Sequence, residues 1–530
     1  MKLSLVLIIF LYSIHSLSAQ NDYEVQPPKL VVFLNLDELR TEHLITFREK
    51  FGKFGFNQLV NNGTFYHKGD FKTSTYFSGT KLVNMHTGCY PSTHGIIGES
   101  WFASNKEKEE HASSFITVDE TAQPDSGRIV FPHLHASTIA DELNIFYKGK
   151  SKIAAISLVP EDMAYQGHVD EDLSFWFNRT TGEMTNSHDS IPKPWVAKYN
   201  SMKFQDIYLD RHWGPLRELR KYQEFVSENP IKPRHFMYNK KSNNPLTPYQ
   251  KIIGSPSGNV LLRDFAAALL INEELGKDEY TDMLSISLSC NPFLERPQEM
   301  FDMELEDMLL RMDLQIESLI QLIKDNVGLE HTLFVLNSTP TTGWLPETLA
   351  KNKVNTGIFN GRKTAALLNL YLMAIYGQGK WVKGYHDKQF YFNHKLLDEQ
   401  KITIEEIQDK SAKFLLEVSG IEKTITAYHL RVNEYTTGAF SEFQQNYFYG
   451  RSGDLFVALK PGWTEEIHNT KEIKFEQKCY APLIFFGWNI KTAQLFDPID
   501  MIDVAPTIST ILEITEPNGC IGKPLKEIVQ

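Results

Sequence analysis

The feature that most constrains the fold is an apolar run near the N-terminus, Leu30–Leu36 (LVVFLNL), that ends in an acidic residue, Asp37. A run with almost no polar alternation is the pattern of a strand covered on both faces, as in a parallel sheet. The same rhythm recurs down the chain. A helical pattern over Glu42–Asn61 places Leu44, Phe47, Phe51, Phe54 and Leu59 on one face. His133–Leu143 opens as a helix before the strand Lys152–Leu158, and the helix Asn259–Gly276 precedes the strand Asp282–Leu288. The amphipathic helix Met303–Val327 precedes the strand His331–Leu336. Strands at Asp454–Leu459 and Pro482–Phe486 and a closing helix at Ile502–Leu512 complete the series. Alternating strands and helices predict an α/β fold with a largely parallel central sheet and helices on both faces. Lys363–Tyr376 and Thr403–Glu417 read as further helices, and Lys380–Asn393 as a hairpin. Phe175–Gly258, rich in aromatics, prolines and asparagines, reads as a loop-heavy cap. No repeat or low-complexity linker divides the chain, so one large domain with insertions is expected.

Composition matters for what it excludes. A formal net charge of -12, with no arginine-rich tract, disfavours binding to nucleic acid or to an anionic membrane. Residues 1–19, MKLSLVLIIFLYSIHSLSA, combine one lysine, an apolar run and the small residues Ser16, Ser18 and Ala19. That is the pattern of a secretory signal peptide cut after Ser18 or Ala19, and it predicts a periplasmic protein. No later segment is long and apolar enough to span a membrane once the signal is removed. The four cysteines, Cys89, Cys290, Cys479 and Cys520, allow three full pairings, and spacing does not choose among them.

Candidate chemistry gathers between Lys29 and Phe102. Asp37 offers a carboxylate at a strand end. Ser78, in STYFSGTK, offers a hydroxyl at a strand-to-helix turn, without the G-x-S-x-G surroundings of a nucleophile elbow. The loop TGCYPSTHGIIGESWF carries His94, with His86 just before it. His133 and His135 lack neighbouring carboxylates, and Asp210 with His212 reads as a surface pair. There is no H-E-x-x-H and no C-x-x-C. Glu304, Glu306 and Asp307 read as the solvated face of their helix. Trp176, Trp195 and Trp213 could form a glycan platform on the cap.

Six stretches in order carry a resemblance to a family: LNLDELR, the TG-x-x-P-x-x-HG-I-x-G-x-x-WF loop, GKDEYTDMLSISLS, YLMAIYGQGKWVKGY, RSGDLFVALKPGW, and PLIFFGW with IDVAPTI and GKPLKEI. The chain resembles the alkaline phosphatase superfamily, most nearly the phosphate-irrepressible periplasmic alkaline phosphatases of Bacteroidetes-type bacteria, which are type I phosphodiesterase/nucleotide pyrophosphatase-like. The resemblance covers nearly the whole chain after the signal. It implies a three-layer α/β sandwich over residues 20–530, with cap insertions at about 101–258 and 343–450. It also implies two zinc ions about 4 Å apart, held by Asp and His, that bind phosphate and activate a Thr or Ser nucleophile.

Carried over one position at a time, the resemblance keeps the first-strand aspartate as Asp37 and puts the nucleophile at Ser78. The asparagine that contacts phosphate falls on Glu99, and the phosphate-binding Lys and Arg fall on Val159 and Glu161. The remaining zinc ligands fall on Pro292, Arg296, Thr339, Pro340 and Tyr480. Proline has no side-chain donor, and arginine brings positive charge to a cation site. The expectation is therefore no bound metal or other cofactor and a catalytically inactive protein. Such a protein would serve as a binding or scaffolding subunit for protein partners in the cell envelope. The alternative is a phosphomonoesterase or phosphodiesterase with a rearranged site built on Asp37 and Ser78. Cys290 and Cys479 flank positions whose ligands hold one zinc in the relatives, so the resemblance implies that they lie close together, as a disulfide or as two free thiols.

Overall fold

The computed structural model describes residues 26–102, 111–113, 116–117, 129–130, 133–160, 173–186, 193–211, 213–222, 249–290, 301–341, 343–466, 473–475 and 479–528. The N-terminal segment read as a signal peptide, Glu161, His212, Pro292 and Arg296 lie outside the described residues. Ten strands form the central sheet: β1 (Leu30–Asp37), β2 (Thr64–Asp70), β3 (Ile153–Ser157), β4 (Ser174–Phe177), β5 (Met184–Asn186), β6 (Asp282–Leu288), β7 (Thr332–Thr339), β8 (Ala481–Gly487), β9 (Ala493–Leu495) and β10 (Ile499–Asp500). Their order is β9-β2-β8-β7-β1-β6-β3-β4-β5, with β10 also on β2. Strands β7, β1, β6, β3 and β4 are parallel neighbours. β8 runs antiparallel between β7 and β2.

The apolar run that became β1 explains the layering. Leu30, Val32, Leu34 and Leu36 point into one core with the helices Pro256–Asn272 and Met303–Asn326. Val31 and Phe33 point into a second core with the helices Ser78–Thr87, Ile139–Phe146 and Val504–Leu512. Successive side chains of a strand face opposite ways, so a strand apolar at every step is what a sheet sandwiched by helices requires. The expected three-layer fold is present. A separate four-stranded antiparallel sheet, Val382–His386, Gln389–Phe392, Leu455–Leu459 and Ile421–Thr426, packs over its own core of Leu368, Trp381, Phe390 and Val457.

Three expectations change. Glu42–Asn61 is not one helix: Thr41–Thr46 and Phe56–Asn62 are separate, with a short 3-10 turn at Arg48–Lys50. The break is held by Asp313, which is 2% exposed and accepts from the Gly52 N–H at 2.6 Å and the Phe56 N–H at 2.7 Å. Phe54, expected inside, lies in this break and is exposed. Asp313→Ala is expected to cost about 2 kcal/mol in urea unfolding, because two buried amides lose a charged acceptor.

The aromatic segment after Phe175 is not all loop. Ser174–Phe177 and Met184–Asn186 extend the sheet, and Trp176 and Trp213 are buried while Trp195 packs against the core. They are packing residues and form no glycan platform. Finally, Glu304, Glu306 and Asp307 are buried, not solvated. Glu306 pairs with Lys50 at 2.6 Å. Asp307 accepts from Trp213 Nε1, the Leu216 N–H and Arg311 Nε, each at 2.7 Å, and from the Tyr222 hydroxyl.

Candidate functional site

Ligands of open α/β sheets bind beyond the carboxyl ends of the parallel strands. Here β1 ends at Asp37, in register with Thr339 at the end of β7, and β6 ends beside them at Leu288. Asp37 accepts from Ser289 Oγ at 2.8 Å and from the Cys290 N–H. One residue on, Glu38 turns left-handed at φ 56°. This residue is buried, and its carboxylate accepts from the Thr341 N–H at 3.0 Å and from the Thr341 hydroxyl. The antiparallel β8 begins at this same edge, so the residues before it, Cys479 and Tyr480, arrive at the site from the opposite direction. Cys479 Sγ donates to the Pro340 carbonyl at 3.2 Å.

Opposite these strand ends stands the Ser78–Thr87 helix. Ser78 is its first residue, and Lys81 lies three positions on, hence on the same face. Lys81 is buried, and its Nζ donates to the Pro340 carbonyl at 3.1 Å. Burial pushes its pKa down, and Cys479 and Glu38 oppose that shift. The small antiparallel sheet adds a third wall. The tip of its first hairpin, Asp387 and Lys388, has both residues at positive φ. Asp387 Oδ2 accepts from Thr75 Oγ1 at 2.7 Å, and Lys388 Nζ lies 4.3 Å from the Tyr76 ring centre. The site is therefore strand ends, a hydroxyl-bearing helix start and an inserted hairpin.

Of the positions singled out in the sequence, Asp37, Thr339, Pro340, Tyr480, Cys290 and Cys479 belong to the strand ends that build the site, and the Ser78 helix reaches Pro340 through Lys81. Glu99 is exposed. Val159 packs against the core, and its N–H donates to Ser157 Oγ at 3.0 Å. The thiols of Cys290 and Cys479 are free, as are those of Cys89 and Cys520, so the bridge considered for the first two is not formed. Burial, with Asp37 and Glu38 nearby, pushes the Cys290 thiol well above its ordinary value. His86 and His94 are buried packing residues: His86 lies 4.6 Å from the Phe33 ring, and His94 bonds Asn84 at 2.7 Å. His133 and His135 are coupled to Arg451, whose guanidinium donates to the His133 carbonyl and contacts His135 Nε2 at 2.7 Å. Sequence reasoning passed over Lys81, Glu38 and Lys388. The first had a usable signal, the S-x-x-K spacing of Ser78 and Lys81.

The two-zinc ligand set implied by the resemblance does not fit these residues. Thr339 and Pro340, the positions to which the resemblance assigns two of the ligands, offer no carboxylate or imidazole, and both oxygens of Asp37 already accept from protein donors. Lys81 Nζ already donates to the Pro340 carbonyl at the same place. Among the described residues, no group of three or more His, Cys, Asp or Glu side chains is arranged to hold a metal. Nor, among them, is any helix long and apolar enough to cross a membrane. An open groove lined by Phe102, Arg362, Asn369, Lys380 and Tyr385 lies on the small sheet.

Comparison with known proteins agrees with this architecture. The family profile described as Type I phosphodiesterase / nucleotide pyrophosphatase matches residues 31–479. The chain is 26% identical over 536 residues to the alkaline phosphatase PafA of Elizabethkingia meningoseptica, covering 97% of this chain and 96% of that protein. It is also 26% identical over 539 residues to a protein of Myroides odoratus named as a calcium-transporting ATPase, covering 96% of each. The crystal structure of wild-type alkaline phosphatase PafA superposes with a TM-score of 0.85 at 24% identity, covering 96% of this chain and all of that one.

Proposed function

From the premise that the chain belongs to the type I phosphodiesterase / nucleotide pyrophosphatase family, we propose that it acts on phosphoric esters, with Ser78 as the attacking group. The observation that supports this most is the placement of Ser78. It opens a ten-residue helix whose Lys81 reaches the end of β7, and the backbone N–H groups of a helix start favour an anion. In this reading Ser78 Oγ attacks phosphorus as the ester P–O bond breaks, the proton lost from Oγ ends on the departing ester oxygen, and water then cleaves the Oγ–P bond, returning a proton to Oγ and releasing the phosphate. Asp37 acts as a positioning residue, since its carboxylate fixes Ser289 and Cys290 at the end of β6. The test is release of nitrophenol from an aryl phosphate monoester and from the corresponding diester. Activity on either that Ser78→Ala reduces to background supports the reading, and no turnover by the wild type overturns it.

A second reading keeps the fold without turnover, as a binding subunit for a protein partner of the cell envelope. What favours it is the saturation of Asp37 by protein donors, together with the replaced ligand positions. It would be supported by absent turnover together with recovery of one stoichiometric partner from the native envelope.

A further inference from the structure

Pro340, one of the positions that the resemblance assigns to a metal ligand, bonds a different cation. Lys81 Nζ donates to the carbonyl of Pro340, and Cys479 Sγ donates to that same oxygen. Thus the end of β7, the segment before β8 and the Ser78 helix meet at one ammonium group. The charged side chains facing it come from two elements. They are Glu38 after β1, and Asp387 and Lys388 at the hairpin tip. Glu38 is tied to Thr341 and Asp387 to Thr75. A lysine ammonium has three N–H donors, and the Pro340 carbonyl takes one. Two more can serve a ligand. The second buried cation, Lys388, extends the positive side of the pocket toward the Ser78 loop.

Burying an ammonium is costly unless it is compensated, and a zinc dication beside it would be repelled. A lysine nitrogen is thus bonded at this strand end, with a second lysine, Lys388, close by. We propose that Lys81 is this pocket's own cation, standing where the relatives hold metal, and that it binds the phosphoryl group of a phosphate ester beside Ser78 without a metal ion. The identity of the ligand rests on the phosphoric-ester reading given above, while the role of Lys81 as a metal-independent anion site is tested separately from it.

The probe is inorganic phosphate, titrated calorimetrically into the full mature chain in excess chelator. Wild type is expected to bind, Lys81→Met to bind at least about tenfold more weakly, and Lys81→Arg to fall between them. If Lys81→Met does not fold, the wild-type chelator experiment and Lys81→Arg carry the test. Phosphate binding only after zinc is restored, or binding by Lys81→Met equal to wild type, overturns the proposal. Lys81-dependent phosphate binding with no ester turnover removes the hydrolase reading and leaves this one standing. Ester turnover that needs zinc and is indifferent to Lys81→Met does the reverse.

Discussion

Asp307→Ala is expected to lower folding stability by about 3–5 kcal/mol, the cost of breaking a buried, paired carboxylate. Asp307 is fully buried and ties the segment 213–222 to its own helix: it accepts from the indole of Trp213, the Leu216 N–H and the Tyr222 hydroxyl on one side, and from Arg311 on its own helix. Removing it leaves an indole N–H, an amide and a guanidinium without their acceptor. No water-filled route compensates the indole, since Trp213 is itself buried. Asp307→Asn keeps an acceptor oxygen and should lose less. Urea unfolding followed by tryptophan fluorescence reads both, and a loss below about 1 kcal/mol for the alanine variant would show that the segment 213–222 is not anchored there.

The second large effect is loss of stability in mild acid. Burial holds the pKa of both His86 and His94 down to about 3. For His94 the geometry explains why the neutral ring is required. Nδ1 accepts from the Ile96 N–H at 3.1 Å, and the other nitrogen bonds Asn84 Oδ1. A second ring proton would confront the Ile96 N–H. The folded state therefore binds fewer protons than the unfolded state wherever free histidine titrates. Stability is present in full above the unfolded pKa of about 6.5 and falls as pH drops toward 3. Each histidine removes about 1.6 kcal/mol between pH 6.5 and 5, so the pair removes about 3 kcal/mol. Asp282 works against this. Its pKa is pushed up to about 6 by burial, so its contribution is lost as pH rises from about 3.8 to 6. The difference between wild type and His94→Gln across pH 6.5 to 5 isolates the histidine. The gap should narrow toward acid by about 1.6 kcal/mol, and a constant gap would mean that His94 is not held neutral.

The strands were legible because burial on two faces leaves a continuous apolar run, as in Leu30–Leu36 and Asp282–Leu288. Asp37 was legible for the same reason, as the acidic stop of such a run. Glu304, Glu306 and Asp307 were misread because helical periodicity shows which residues share a face but not what arrives to cover it. Here Lys50 and the segment 213–222 arrive from far away in sequence. Lys81 was overlooked for a related reason. Beside the hydroxyls of its own turn it looks like an ordinary surface lysine, and only Pro340 and Cys479, brought in by β7 and β8, make it interior. The hairpin tip was hidden further, since Asp387 and Lys388 take left-handed backbone without the glycine or asparagine that usually announces such a turn.

The antiparallel β8 also dictates an order of assembly. The partners of β2 in the sheet, namely β8, β9 and β10, are all drawn from residues after 480. A growing chain can join β1, β3, β4, β6 and β7 as each emerges, but β2 must wait more than four hundred residues for a neighbour, an extreme contact order. Until then the Ser78 helix, which follows β2, lacks the closing helix Val504–Leu512 that shares its core. The pocket is thus finished last, by the C-terminal fifty residues, so a chain cut short of them keeps the site's side chains but not the β8 strand and closing helix that hold the Ser78 helix against the sheet.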